Sequence, residues 1–400
     1  MKAVILAAGE GTRMHPLTYT RPKVMLPVAN KPILEHLLIE AKKAGISEFI
    51  FIVGFHDEQV RNYFGDGEKW GVAIEYCSQR TQLGTADALK MVEGLLEGNF
   101  LMLNGDIIIG QKDIGRLINK SDNIMSVIEV RNTRHLGAVE LSENKVICIH
   151  EKTEKPPSHM ANAGLYLFTP DIFNAVSRTP KSPRGEYEIT DSLQLMINSG
   201  VPVSYQEISY WLDLSYPWDL FPANESLLKE IEPQNAGEVE ENVVIKGAVS
   251  IGKDTVVRSG SYIVGPVIIG QDCDIGPNCC IRPFTAIGND CHIGWAVEVK
   301  NSIIMRGTKI PHHNYVGDSI IGEDCNLGAG TKIANLKLDK GNIVVTGIDT
   351  RRRKLGAIIG DRVETGINAS INVACIIGND AHIGPGAIAH GVISPGSKRF

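Results

Sequence analysis

The densest group of residues suited to chemistry lies at positions 2–23, KAVILAAGEGTRMHPLTYTRPK. Gly9 and Gly11 flank a single acidic residue, so the backbone there can turn tightly and aim several N–H groups at a polyanion. Arg13 and Lys23 add fixed positive charge beyond the glycines. This combination suits a triphosphate cradled by backbone amides and clamped by cations. Two other phosphate motifs are excluded. Met14 stands where the third glycine of a dinucleotide fingerprint would fall, and the Gly-Lys-Ser/Thr of a P-loop is missing.

A pair of carboxylates complements this loop. Asp106 closes the apolar run 100–103 through Asn104-Gly105-Asp106, and Asp213 follows Trp211-Leu212 beyond the run 201–208. A hard cation such as Mg²⁺ takes carboxylate and phosphate oxygens together, so Asp106 and Asp213 are the candidate metal ligands. The competing reading of a strand-end aspartate is a turn cap.

These residues need elements to hold them. The run 3–8 reads as a buried strand, 33–44 as a helix with Leu34, Leu37, Leu38 and Ala41 on one face, and 49–53 as a strand. A helix at 58–64, a strand at 74–77, a helix at 85–96 and a strand at 100–103 follow. Alternating strands and helices predict a mostly parallel sheet with ligands gathered at the strand carboxyl ends. Residue 9, residue 84 and Asp106 all fall at such ends.

The chain has 400 residues, 43% hydrophobic and 22% charged, which predicts more than one globular domain. A net charge of −6 without a long basic stripe argues against a nucleic-acid partner. Only the run 351–354, Arg-Arg-Arg-Lys, is locally basic, which suits a small anionic ligand. No apolar run approaches the ~20 residues of a membrane span, and no signal peptide is apparent, so a cytoplasmic enzyme is expected. Six of the eight cysteines lie beyond residue 270, none in a CxxC pair, and read as small buried apolar groups.

A polar stretch broken by Pro233 and Gly237 marks a boundary after a helix expected at 217–231. Beyond it Ile245, Ile251, Val257, Ile263, Ile269, Ile275, Ile281, Ile287, Ile293 and Val299 recur every six residues. The period slips by one, then resumes at Ile304, Ile310 and Val316, at Ile321, Leu327 and Ile333, and from Ile359 to Ile383. A six-residue period is that of a parallel β-helix, with aliphatic side chains filling the prism. The stretch 334–356 drops the period and carries Lys337, Lys340 and the basic run, as an insertion used for binding would.

The phrase Leu6-Ala7-Ala8-Gly9-x-Gly11-Thr12-Arg13, with Pro16, Leu17, Thr18, Arg21-Pro22-Lys23, Leu26-Pro27-Val28 and Lys31-Pro32, resembles the opening of the sugar-1-phosphate nucleotidylyltransferases. The resemblance implies attack of a sugar-1-phosphate oxygen on the α-phosphorus of a nucleoside triphosphate, releasing pyrophosphate. It implies catalytic roles for Arg13 and Lys23, and nucleotide contacts from Leu6, Ala8, Gly9, Gly11, Thr12, Gln79, Gln82, Gly84 and Thr85. Gly137, the Glu151-Lys152 pair and Asn162 resemble the family's sugar-binding positions.

The second half resembles the acetyltransferase half of the bifunctional glucosamine-1-phosphate acetyltransferase/N-acetylglucosamine-1-phosphate uridylyltransferases, in their archaeal form. The likeness rests on Arg282-Pro283, Glu298-Val299-Lys300, His312-x-x-Tyr315-x-Gly317-Asp318 and the stretch from Asn326 to Asn335. It implies acetyl-CoA as co-substrate, a homotrimer, and His312 as general base, with His313 the neighbouring alternative. Arg282 and Lys300 are then expected on the sugar phosphate, Tyr315 and Asn326 on its ring, and Asn335, Lys337 and Lys340 toward the cofactor. After Asn335 the chain reads Leu-Lys-Leu-Asp-Lys, which departs from the bacterial pattern.

The expectation is therefore a Rossmann-like nucleotidyltransferase domain with a mixed, mostly parallel sheet at 1–232 and a linker at 233–242. A left-handed parallel β-helix acetyltransferase domain follows at 243–400. Uridylyl or thymidylyl transfer is the leading reaction. A single-activity guanylyltransferase (suggested by Leu26-Pro27-Val28-x-Asn30-Lys31-Pro32), a glucose-1-phosphate thymidylyl- or uridylyltransferase, and a non-catalytic scaffold are the alternatives. The presence of Arg13, Lys23, Asp106 and Asp213 together favours an enzyme. A β-helix zinc enzyme would need three convergent histidines, and the histidine spacing follows no coil repeat.

Overall fold

A computed structural model describes every residue except His135 and Lys152. The chain divides into two compact units. One comprises Met1–Glu10, Arg21–Met25 and Ile33–Leu214, the other Gly11–Thr20, Leu26–Pro32 and Ser215–Phe400.

The first unit is built on a nine-stranded mixed sheet. Its parallel half runs Ala73–Ser78, Glu48–Val53, Lys2–Ala7 and Phe100–Asn104, neighbour to neighbour. Met160–Phe168 joins antiparallel, and beyond it Ile124–Glu129, Ser204–Glu207, Lys145–Glu151 and Gly137–Ser142 complete the sheet. Helical crossovers connect the parallel strands, whereas in the second half Gly137–Ser142 and Lys145–Glu151 are joined by a tight turn and Ser204–Glu207 returns parallel to Ile124–Glu129. Strand alternation sorts the core. Ala3, Ile5, Ala7, Phe49, Phe51, Leu101 and Leu103 face helices Ile33–Lys43, Asp57–Phe64 and Gln111–Ile118. Val4, Ile50, Ile52 and Met102 face helices Thr85–Lys90, Ile172–Val176 and Ile189–Asn198. The helix expected at 85–96 thus stops at Lys90 and continues as a 3-10 turn at Glu93–Leu95.

A separate two-stranded ribbon pairs Ile107–Ile109 with Trp211–Asp213. It matters more to the site than its size suggests, because its register sets Asp213 opposite Ile107.

In the second unit the six-residue period becomes three parallel sheets stacked coil upon coil. Ile251, Ile269, Ile287, Ile304, Ile321, Ile359, Ile377 and Ile393 form one interior ladder, and all are buried. The slip after Val299 appears as coils one residue shorter, since Ile287 pairs with Ile304 and Ile304 with Ile321. Cys273, Cys279, Cys291, Cys325 and Cys375 are free thiols inside the prism, filling it as small apolar groups. The insertion at 334–356 folds as a ribbon, Val344–Val345 against Ile348–Asp349.

Two features differ from the sequence expectation. Residues 233–242, expected as a linker, already carry the first rungs, Gln234–Asn235 on Ser250–Ile251 and Glu238–Val239 on Val256–Val257. Helix Leu220–Leu228 groups by contact with the second unit. Asn224 donates to the Phe284 carbonyl at 2.9 Å and accepts from the Ala29 N–H at 2.9 Å. Asn30 donates to the Ile287 carbonyl at 2.6 Å, and Thr20 hydrogen-bonds Asp361. Side-chain-to-backbone bonds between residues so distant in sequence leave no periodic signal.

Candidate functional site

Strand Lys2–Ala7 delivers Ala8 and Gly9 at the carboxyl end of the parallel half-sheet. The backbone is packed closely there. Gly105 donates its N–H to the Leu6 carbonyl at 2.9 Å, and a Cβ on Gly105 would stand 2.5 Å from that oxygen. Only glycine lets the chain before Asp106 lie against the strand.

Asp106 receives Lys23 Nζ on Oδ2 at 2.6 Å, and the Lys23 side chain is 9% exposed. The Leu214 N–H donates to the Asp106 carbonyl at 3.2 Å, so the ribbon register carries Asp213 alongside. Three residues from distant stretches thereby present two carboxylates and one cation. Oxygen donors of this kind fit a hard divalent cation, and the buried ammonium fits the phosphate it would accompany.

The expected nucleobase segment is shaped by a residue that sequence reasoning missed. Gly84 has φ +113°, and a Cβ on it would meet the Tyr187 carbonyl at 2.4 Å. Tyr187 donates its N–H to Leu83 at 2.7 Å and accepts from the Ala86 N–H at 2.9 Å, clamping both sides of Gly84. Thr85 Oγ1 accepts from the Ile189 N–H at 2.9 Å. Gln79 is buried, and its amide nitrogen donates to Asp87 at 2.8 Å and to the Gly84 carbonyl at 3.3 Å. Its N–H groups therefore hold the loop. Gln82 donates to the Ala8 carbonyl at 3.2 Å, joining this segment to the end of the first strand.

Gly137, Glu151 and Asn162 are brought together. Gly137 pairs with Glu151 across a hairpin, and a Cβ there would lie 3.0 Å from Glu151 Oε2 and 3.4 Å from Asn162 Cβ. Asn162 donates to the Tyr166 hydroxyl at 2.6 Å, and burial pushes that phenol well above its ordinary range. Arg184 stands 3.5 Å from Glu151 and pairs with Glu188. Arg184 and Tyr166 had no motif to announce them. Lys152 lies outside the described residues.

In the second unit the glycine loop continues as a 3-10 turn, Thr12–Met14, entered through Gly11 at φ 70°. The Arg13 guanidinium lies 5.6 Å from the centre of the Tyr216 ring, which stacks on Trp218.

Successive coils of the β-helix align a polar row. Glu298 pairs with Tyr315, and Lys300 with Gly317. Arg282 donates to Glu298 at 2.8 Å, which holds the guanidinium pKa up. Lys300 contacts Asp318 at 3.1 Å, Asn335 donates to Asp318 at 2.6 Å, and Asn335 reaches the Tyr315 hydroxyl at 3.2 Å. The Asp318 side chain is 3% exposed, so this carboxylate is the hub that ties Lys300 to Asn335. Its place in the quoted motif was visible, its role was not.

His312 ends strand Lys309–His312; His312 and His313 are both exposed, and His313, at φ 51°, sets its ring edge-on to Trp295 at 4.6 Å. Asn326 does not join the row of Tyr315. It pairs with Lys309 on a different sheet of the prism. Lys337 pairs with Asp339 at 2.9 Å and lines a cavity of about 750 Å³ together with Ala334, Ile343, Asn372 and Ala374. Lys340 is exposed, and its carbonyl accepts from Arg353 at 3.0 Å. Within the basic run, Arg352 is not offered to a ligand. It lies 4.6 Å over the Phe221 ring, and burial lowers its pKa. No described helix is long and apolar enough to cross a membrane.

Residues 2–230 match the family model described as Nucleotidyl transferase, and residues 263–398 match that described as GMPPB C-terminal domain. A protein of Methanococcus maripaludis named bifunctional protein GlmU is 42% identical over 96% of this chain and 93% of its own length. A bifunctional sugar-1-phosphate nucleotidylyltransferase/acetyltransferase of Sulfurisphaera tokodaii is 40% identical over 98% and 97%. A crystal structure titled as a glucose-1-phosphate thymidylyltransferase of Bacillus anthracis with a sucrose aligns at TM-score 0.53 and 29% identity. It covers 59% of this chain and 98% of that one.

Proposed function

The chain belongs to the bifunctional sugar-1-phosphate nucleotidylyltransferase/acetyltransferase family, and we propose that it serves two steps of UDP-N-acetylglucosamine synthesis. In one, a sugar-1-phosphate oxygen attacks the α-phosphorus of UTP or dTTP and pyrophosphate leaves. In the other, an amino-sugar-1-phosphate is N-acetylated from acetyl-CoA. The observation that carries the first step is the 2.6 Å contact of Lys23 with Asp106 at the strand end, with the backbone of the ribbon that bears Asp213 bonded beside it.

Asp106 and Asp213 would hold Mg²⁺, whose charge neutralises phosphate oxygens as the transition state forms. Lys23 and Arg13 supply the remaining positive charge, so catalysis is positioning and electrostatics with no general base. Gly9, Gly11 and Thr12 cradle the phosphates, with Leu6 and Ala8 beneath the nucleoside. The clamped Gln82–Thr85 segment receives the base, and Gly137, Glu151 and Asn162 receive the sugar.

For acetyl transfer, the amine nitrogen attacks the thioester carbonyl, His312 accepts the amine proton, and the thiolate of CoA leaves. The engagement of His313 with Trp295 supports His312 as base. Arg282 and Lys300 bind the sugar phosphate and Tyr315 its ring, while Asn335, Lys337 and Lys340 face acetyl-CoA. Asn326 shares its sheet with His312 rather than with Tyr315, and the homotrimer is proposed from the family alone. Eight free cysteines fit a reducing cytoplasm.

The match of residues 263–398 to the GMPPB C-terminal domain favours a second reading, guanylyl transfer. Pyrophosphate release measured across UTP, dTTP and GTP with N-acetylglucosamine-1-phosphate, glucose-1-phosphate and mannose-1-phosphate separates the two. Highest kcat/KM for UTP or dTTP with the first sugar supports the primary reading, and GTP with mannose-1-phosphate overturns it.

A further inference from the structure

Hairpin Gly137–Ser142 and Lys145–Glu151 carries a second group of donors on the face turned away from its core. Val139, Leu141, Val146 and Ile149 point into the core shared with Leu193 and Met196. A bulge between Val146 and Cys148 resets the register, so that Cys148 stands directly opposite Glu140 and His150 opposite Ala138. Residues i and i+2 of a strand share a face, and a directly opposed residue shares it too. Glu140, Cys148 and His150 therefore project together. One ligand atom from each, a carboxylate oxygen, a thiol sulfur and an imidazole nitrogen, all lie within 4.8 Å of one another.

His150 Nε2 is 2.5 Å from Glu140 Oε1, with the side chains 34% and 45% exposed. A histidine–carboxylate hydrogen bond accounts for that pair alone. It does not account for a half-buried free thiol converging on the same point. We propose that Glu140, Cys148 and His150 form a zinc site, with water completing a four-coordinate shell. Mixed N, S and O donors with one open position are those of Zn²⁺, and a thiolate selects against Mg²⁺. Tetrahedral zinc with ordinary bond lengths holds its donors about 3.3–3.8 Å apart. Side-chain rotation on a backbone pinned by antiparallel hydrogen bonds would part His150 from Glu140 and draw the Cys148 sulfur in. On binding, the Cys148 thiol proton passes to solvent, His150 offers the Nε2 lone pair with its ring proton on Nδ1, and no electron is transferred. The site is separate from Asp106 and Asp213 in both residues and metal preference.

The test is a Co²⁺ titration of the full-length protein, following the thiolate-to-cobalt absorption. The site predicts one equivalent bound, displacement by Zn²⁺, and no displacement by excess Mg²⁺. Cys148→Ser should abolish the band, and His150→Gln and Glu140→Gln should weaken binding at least ~10-fold. Cys77→Ser and Cys280→Ser, the other incompletely buried thiols, should leave it unchanged. An unchanged melting temperature of metal-free Cys148→Ser assures that it is folded. Absence of the band in the wild type, its persistence in Cys148→Ser, or its loss in Cys280→Ser overturns the proposal.

Discussion

In the first unit, Lys23 and Asp106 come from unrelated stretches and touch at a strand end and glycine turn, while a short ribbon bonded to the Asp106 backbone carries Asp213. In the second, Arg282, Lys300 and Tyr315 come from successive coils of one repeat, spaced by the rise of the prism. One site is assembled by topology, the other by periodicity. The difference governs how each fails. Loss of a group in the first removes a unique element of the charge arrangement. The second rests on an apolar ladder, so its geometry can be lost by changes inside the prism that touch no polar residue.

The largest expected effect is Asp106→Asn, which should lower nucleotidyl transfer by about 10³-fold while acetyl transfer is unchanged, measured as pyrophosphate and CoA release. His312→Ala should reduce acetyl transfer by about 10²-fold and spare nucleotidyl transfer. Ile293→Ala, inside the prism between Ile275 and Ile310, should cost about 2–5 kcal/mol in denaturant unfolding. It should weaken acetyl transfer far from any polar change. Gly84→Ala forces a Cβ against the Tyr187 carbonyl at positive φ. It should cost about 1–3 kcal/mol and raise the KM for nucleotide more than it lowers kcat.

The smallest effect concerns Arg362, which forms two bonds to Asp380 at 2.7 and 2.8 Å on neighbouring coils. The guanidinium holds the Asp380 carboxyl below its ordinary value. A depressed folded pKa contributes stability above the unfolded value of ~4, and that contribution is lost as pH falls through the depressed one. Arg362→Ala should thus cost only about 0.2–1 kcal/mol at neutral pH, an exposed pair being screened. The cost should vanish in acid, read from melting temperature against pH.

The sequence displayed the second architecture more openly than the first. Six-residue spacing named the interior positions from Ile251 to Ile383, including the slip after Val299, because each coil repeats one local rule; Ile245, at the start of the period, is instead exposed, and Ile393 lies beyond the period read. Asp106 and Asp213 were visible as strand-end carboxylates, but the ribbon pairing Asp213 with Ile107 is a long-range register that no local pattern encodes. Tyr187 clamps Gly84 from across the unit through its backbone, which any residue type supplies. Gln79 was legible as a polar residue of the nucleotide segment, yet its commitment to Asp87 depends on a rotamer. Asn326 reads as part of a continuous motif with Asn335, but a corner of the prism separates their sheets.

The most direct test of two independent sites on one chain is complementation. Glucosamine-1-phosphate, acetyl-CoA and UTP are incubated with wild type, Asp106→Asn, His312→Ala, or an equal mixture of the two variants, and the acetylated nucleotide sugar is measured. Two separate sites linked by a freely diffusing intermediate predict product from the wild type and the mixture and none from either variant alone. Product from either variant alone, or none from the mixture while each variant keeps its remaining activity, contradicts the account.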